Sequence, residues 1–208
     1  GAGQKVFLAG DGDHPLLEQA YSPMTVRFFM LQSHYRSTLD FSNEALKAAQ
    51  KGYRRLINGL RVVKTLDYSG QDEAVLDEKK KQDIEKSIQG FYDALNDDLN
   101  TAVAIASLFN LLKYVNMIYM NQLAPAAIGD DTFGQLKEKF VLFVEDILGL
   151  KEEGGQNGSA VLDGMLTLYR EYKEQKQYDK VDQIRSYFKG QSLVIKDMKH
   201  RIDWAYEE

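Results

Sequence analysis

Apolar residues recur at three- and four-residue steps through most of this chain, the spacing that lines one face of an α-helix. Ser22-Pro23 reads as an N-cap followed by proline at the first helical position. Val26, Phe29 and Met30 then mark one face of a helix running to about residue 33. A second helix opens near Ser42, with Glu44 in its first turn, and aligns Leu46, Ala49, Tyr53, Leu56, Ile57 and Leu60. The polar stretch 67–81 predicts a long loop. Residues 82–95 predict a third helix with Ile84, Ile88, Phe91 and Leu95 on its buried stripe. Residues 96–101 form a turn dense in capping side chains. They lead into the most apolar helix, where Val103, Ala106, Phe109, Leu112, Val115 and Tyr119 fall in register. Asp130-Asp131-Thr132 predicts the cap of a further helix holding Phe133, Leu136, Phe140, Phe143 and Ile147, and Gly149 follows where helices often stop.

The pattern changes at residues 152–159, a Gly-rich polar run that predicts a linker and a domain boundary. Beyond it, residues 160–176 and 179–188 predict two helices. Leu193-Val194-Ile195 and Ile202-Asp203-Trp204 are short enough to be the strands of a hairpin around residues 197–200. The fold class expected is therefore mainly α. An antiparallel helical bundle takes residues 22–151, and a small α+β domain with a short β-hairpin takes residues 160–208. Residues 1–21 are left as an N-terminal remnant or connector.

Composition adds little until its distribution is considered. A chain of 208 residues with 44% hydrophobic and 27% charged residues can hold a real core. Its net charge of −5 does not suggest a nucleic-acid partner. Between Pro23 and Thr65, however, Arg27, Arg36, Lys47, Lys51, Arg54, Arg55, Arg61 and Lys64 face only Asp40 and Glu44, a local charge of +6. A solvated helix face and a surface laid against an RNA backbone both fit that excess.

The chemistry of a catalytic site is missing from the pattern. There are no cysteines, hence no disulfides and no thiolate zinc sites. His14, His34 and His200 lie in different segments without metal-ligand spacing. No glycine-rich phosphate loop occurs, and Asp97-Asp98 reads as helix-start caps rather than a catalytic pair. No catalytic residue and no metal ligand is predicted. No uninterrupted apolar run approaches the ~18–20 residues of a membrane span. Residues 1–13 lack the apolar stretch of a signal peptide, so the cytoplasm, away from membranes, is the expected location.

Two stretches carry a family resemblance. Val26-Arg27-Phe28-Phe29-Met30-Leu31, followed by His34-Tyr35-Arg36-Ser37 and Leu39-Asp40-Phe41-Ser42, closely resembles a segment of cysteinyl-tRNA synthetases. In that family it lies shortly after the K-M-S-K-S signature of the ATP site. Phe91-Tyr92-Asp93-Ala94-Leu95-Asn96-Asp97-Asp98-Leu99-Asn100-Thr101 resembles the signature at the heart of the family's helical bundle. A weaker likeness runs through Lys176-Gln177-Tyr178-Asp179, Asp182-Gln183-Ile184-Arg185, Val194-Ile195-Lys196-Asp197 and Trp204, in the order of the family's anticodon-binding domain. Three positions depart from the pattern: Ala102 stands where proline is usual, and Ser192 and Arg201 stand where glycine is common. A site there that needs φ > 0 makes the hairpin strained or differently shaped.

The resemblance implies a tRNA-binding C-terminal part of an enzyme that attaches cysteine to its tRNA using ATP. Cysteine, ATP and a zinc ion then sit in an N-terminal catalytic domain whose motifs this sequence lacks. The implied partners are the cysteine-specific tRNA and that catalytic domain. Carried over position by position, the resemblance makes Lys173, Tyr178, Asp182 and Asp197 candidate anticodon contacts, with Arg185 and Trp204 after them. For Trp204 packing is the alternative, and for Arg185 an ion pair with a neighbouring acid. Arg27, Arg36 and Arg54 are candidates for the tRNA backbone, and Tyr35 is expected in the core. A mycothiol-pathway cysteine ligase, which has no tRNA to read, and a freestanding helical interaction module are the competing readings.

Overall fold

A computed structural model describes residues 19–39, 41–68, 74–153 and 156–208, without the side chains of residues 156 and 157. His14, Asp40 and most of the 1–21 connector lie outside the described residues, as do parts of the 67–81 and 152–159 stretches. Two compact units divide the chain between Lys151 and Glu152.

The first unit begins with α1 (Pro23–Gln32), where the Ser22 hydroxyl accepts from the Thr25 N–H and Pro23 occupies the first turn. Its buried face is Val26, Phe28 and Phe29, while Met30 is 54% exposed, against expectation. The face turns through Phe28 because α2 (Asn43–Thr65) approaches there: a Cβ built on Gly52 would lie 2.6 Å from the Phe28 ring. Every position assigned to the buried stripe of α2 is buried.

The next helix, α3 (Glu78–Asn96), starts one turn earlier than its apolar pattern suggested, because Asp77 caps it by accepting from the Lys80 N–H. That first turn is Glu78-Lys79-Lys80-Lys81, which no hydrophobic periodicity can reveal. α4 (Thr101–Tyr119) is long and apolar enough by composition to cross a membrane, yet it is the core helix of this bundle. It buries Ala104, Ile105, Leu108, Leu111, Leu112, Val115 and Ile118. Val103 and Ala106, expected inside, are exposed. A helix apolar nearly all round offers more than one stripe, and its packed neighbours choose between them.

α5 (Asp130–Val141) starts from Gly129, at φ 80°, without the side-chain cap assigned to residues 130–132. Asp130 and Asp131 lie in its first turn, where the helix dipole favours them. Thr132 is instead buried and donates to Glu85 Oε1 at 3.0 Å. The helix widens into a π-turn over Leu142–Ile147 and stops at Gly149, φ 64°. Phe143 stacks on Phe91 with centroids 3.7 Å apart, tying this segment to α3.

The second unit holds α6 (Gln156–Glu174), α7 (Tyr178–Gly190) and an antiparallel hairpin of β1 (Leu193–Asp197) and β2 (Ile202–Tyr206). Leu193 pairs with Tyr206, Ile195 with Trp204 and Asp197 with Ile202. Leu166, Phe188, Leu193 and Trp204 form its core, with Leu162, Met165, Ile184, Ile195, Ile202 and Tyr206 around them. Of the two positions where glycine is common, Ser192 adopts φ 55° and Arg201 is not among the positive-φ residues. One strained position thus enters the hairpin.

Candidate nucleic-acid interface

In the second unit the hairpin returns Asp197 beside the last turn of α6 and the middle of α7. Lys173 Nζ donates to Asp197 Oδ2 at 2.6 Å, and Tyr169 Oη donates to the same oxygen at 3.0 Å. Arg185 donates to Tyr169 Oη through Nε at 2.9 Å and Nη2 at 2.5 Å, and its Nη2 lies 3.6 Å from Asp197 Oδ2. Three of the candidates thus meet around one carboxylate. Burial pushes the Asp197 carboxyl up, but the hydrogen bonds from Lys173 and Tyr169 and the charges of Lys173 and Arg185 outweigh it. The group is held below the usual carboxylate range. The hydrogen bond to Asp197 raises the Lys173 ammonium, and that to Tyr169 raises the Arg185 guanidinium. At neutral pH the cluster is a fixed anion between two fixed cations.

Asp197 and Lys173 also line a groove of about 610 Å³ whose other walls include Arg170, Lys199, His200 and Arg201. Arg170 Nη2 donates to the Ile202 carbonyl at 2.8 Å, which fixes one side of the hairpin mouth. Tyr178, Asp182 and Arg185 are spaced to share one stripe of α7, beside the buried Val181 and Phe188. Tyr178 is 60% exposed and Asp182 is exposed, its charge felt by Arg185. An exposed aromatic ring with a carboxylate one turn on suits an unpaired base, which is read by stacking and by hydrogen bonds to its edges.

Trp204 does not join them. It is 2% exposed and its Nε1 donates to Asp163 Oδ1 at 3.2 Å, so both ring faces belong to the core. Packing, the alternative held open for it, is the role it takes, beside the equally buried Ala205. Tyr169 and Arg170, by contrast, escaped the sequence reading. The available signal was that Tyr169 stands four residues before Lys173, on the same helix face.

In the first unit the two stretches that carry the resemblance meet. Tyr35 Oη donates to Asp98 Oδ1 at 2.7 Å and Arg36 Nη2 pairs with Asp98 Oδ2 at 3.1 Å. Thr101 Oγ1 donates to the Leu31 carbonyl at 2.6 Å. Tyr35 is 62% exposed, not in the core: its ring lies outside while its hydroxyl ties the α1–α2 connection to the turn after α3. Asp98 and Leu99 hold φ 56° and 52°, and the turn aims Asp98 at both partners. Arg27 Nε donates to the Leu148 carbonyl at 2.7 Å, satisfying the end of the π-turn. Arg27 and Arg36 therefore have structural work of their own. Lys51 and Arg55 are exposed on α2, with Arg54 half-buried between them.

Comparison with known proteins bears on both units. Residues 90–150 match the model of the DALR domain. A cysteine–tRNA ligase of Cytophaga hutchinsonii is 55% identical over 95% of this chain. Over most of its length the chain is similar to part of a cysteine–tRNA ligase. Other similar proteins include the cysteine–tRNA ligase of Bacteroides thetaiotaomicron, 38% identical over 93% of the chain, and that of Deinococcus radiodurans, 32% identical over 88%. The chain spans 38–39% of the length of these relatives. The DALR match takes in the second half of α3, α4 and α5 and ends before the Lys173–Asp197 cluster. Relatives bearing the cysteine–tRNA ligase name weigh against the mycothiol-type ligase and the freestanding module.

Proposed function

We propose that this chain is a tRNA-binding, non-catalytic part of a cytoplasmic cysteine–tRNA ligase, with its base selection in the second unit. The whole enzyme would attach cysteine to the cysteine-specific tRNA using ATP. ATP and a zinc ion would be held by an N-terminal catalytic domain, the second partner of this chain. Among the described residues no group of three or more His, Asp or Glu side chains is placed to hold a metal.

The observation that carries the reading is the Asp197 cluster. Its hydrogen bonds all fall on Oδ2, leaving Oδ1 of a groove-lining carboxylate for a ligand. A carboxylate repels phosphate but accepts from base amino and imino groups, so its use in an RNA site is selection among bases. Asp182, exposed on α7 beside Tyr178, offers a second such acceptor.

The test is a pair of titrations at one fixed salt concentration, using the cysteine-specific tRNA and the same tRNA with its anticodon replaced. Asp182→Ala and Asp197→Ala should each cost roughly 1–3 kcal/mol against the matched tRNA and little against the other. An unchanged matched-to-mismatched ratio in both folded variants sinks the assignment.

A further inference from the structure

We infer that Tyr169 is a positioning residue for base selection, holding the Asp197 carboxylate and the Arg185 guanidinium in one mutual orientation. The inference rests on the anticodon reading above and adds a residue to which the family resemblance did not point. Tyr169 is fully buried on α6, so its ring is locked and its hydroxyl stands at a fixed point beneath the groove.

A phenol has one proton to give and two lone pairs to receive with. The proton goes to Asp197 Oδ2, and Arg185 Nε and Nη2 both converge on the oxygen. The hydroxyl is saturated, and each neighbour is constrained through it. Asp197 cannot rotate its carboxylate without leaving the Tyr169 proton, so the same oxygen stays engaged and Oδ1 stays presented. Arg185 cannot swing away without losing two hydrogen bonds, which fixes the plane of its guanidinium and leaves Nη1 outside the phenol contact. A planar guanidinium of fixed tilt can stack on a base or bond its edge.

Lys173 contributes differently. Its ammonium is a flexible point charge, 47% exposed, that keeps Asp197 ionised but sets no direction. The charged groups paired with Asp197 are Lys173 and Arg185, with Asp182 acting on Arg185 from one turn earlier in α7 and Arg170, Glu174, Lys199, His200 and Arg201 along the same groove. Tyr169 is the one rigid member of the set, and Tyr169→Phe removes its hydroxyl while keeping its packing.

The experiment uses the whole 208-residue chain as wild type, Tyr169→Phe, Asp197→Ala and the double variant. Each is titrated with a transcript of the cysteine-specific tRNA and with one whose anticodon is replaced. Tyr169→Phe should lower the matched-to-mismatched affinity ratio about fivefold or more, the lower end of what one base contact discriminates. In the Asp197→Ala background it should lower the ratio no further. A second readout needs no RNA: carbon-13 NMR titration of the Asp197 carboxyl should give a higher pKa in Tyr169→Phe, because a donor to the ionised form is gone. If Asp197→Ala collapses the ratio while Tyr169→Phe leaves it intact, the positioning role is overturned and the base reading stands. A ratio lost to Tyr169→Phe even without the Asp197 carboxylate shows a general structural effect and also overturns it. If Asp197→Ala itself leaves the ratio unchanged, the base reading fails and the inference falls with it.

Discussion

Single residues decide how this hairpin is held. Ser192 enters β1 at φ 55°, a left-handed conformation that costs an L side chain about 1–2 kcal/mol. It is kept there because the Lys189 carbonyl accepts its N–H at 3.0 Å and its own carbonyl accepts the Glu207 N–H at 2.9 Å. Ser192→Gly should therefore stabilise the second unit. Relief of the strain exceeds the ~0.5–1 kcal/mol that glycine loses in backbone freedom, for a net gain of about 0.5–1 kcal/mol. Arg201→Gly, at a position without positive φ, gains no such relief and should be destabilising. Urea unfolding of the two variants separates the cases: equal shifts of midpoint would contradict the assignment of strain to Ser192 alone. At this scale the sequence was partly legible. Lys173, Arg185 and Asp197 come from the family resemblance, and the fold brings them together. Trp204 packs, the alternative its sequence context left open, because residue type cannot say which face of a strand is buried. Tyr169 went unnamed because a tyrosine at a core position carries no mark that its hydroxyl has two clients.

Whole elements were easier to foresee than their edges or their rotation. The α2 stripe was right at every position because its polar and apolar faces contrast, whereas the α4 stripe was misassigned at Val103 and Ala106, where that contrast is missing. What rotates α4 is close approach: a Cβ on Gly59 of α2 would lie 2.2 Å from Leu112 Cδ1 and 3.2 Å from Phe140. Gly52 does the same against Phe28, a ring with no exposure and nowhere to retreat. Glycine in these two helical positions is thus a packing requirement, invisible to helix propensity. Gly52→Ala should destabilise the first unit by about 1–3 kcal/mol from overpacking, less the ~1 kcal/mol alanine gains in a helix. Gly164, inside α6 with nothing within 4 Å of an added Cβ, is the counter-case. Gly164→Ala should stabilise by about 0.5–1 kcal/mol. Thermal melts of both variants check the pair, and a gain of stability in Gly52→Ala would show that α1 can shift where the structure says it is packed.

On the scale of the molecule, the proposed function divides affinity from selectivity, and charge is what separates them. The net charge of −5 hides a local +6 between Pro23 and Thr65, on α1, α2 and the connection between them. Two of the three arginines proposed for the backbone already serve the fold, Arg27 at the Leu148 carbonyl and Arg36 at Asp98. On α2 the cations to test against phosphate are the exposed Lys51 and the half-buried Arg54, three residues on. Neutralising a phosphate releases counterions from RNA, so each such contact adds close to one unit to the slope of log affinity against log salt. Lys51→Gln and Arg54→Gln should each weaken matched and mismatched tRNA equally and reduce that slope by about 0.7–0.9. Asp197→Ala should leave the slope unchanged and alter only the ratio between the two RNAs, since a carboxylate binds no phosphate. The measurement is a set of titrations over a fourfold range of salt for each variant with each RNA. A slope that stays fixed in Lys51→Gln and Arg54→Gln would remove α2 from the RNA surface. A slope that moves with Asp197→Ala would mean that the cluster acts through charge and not through the edge of a base.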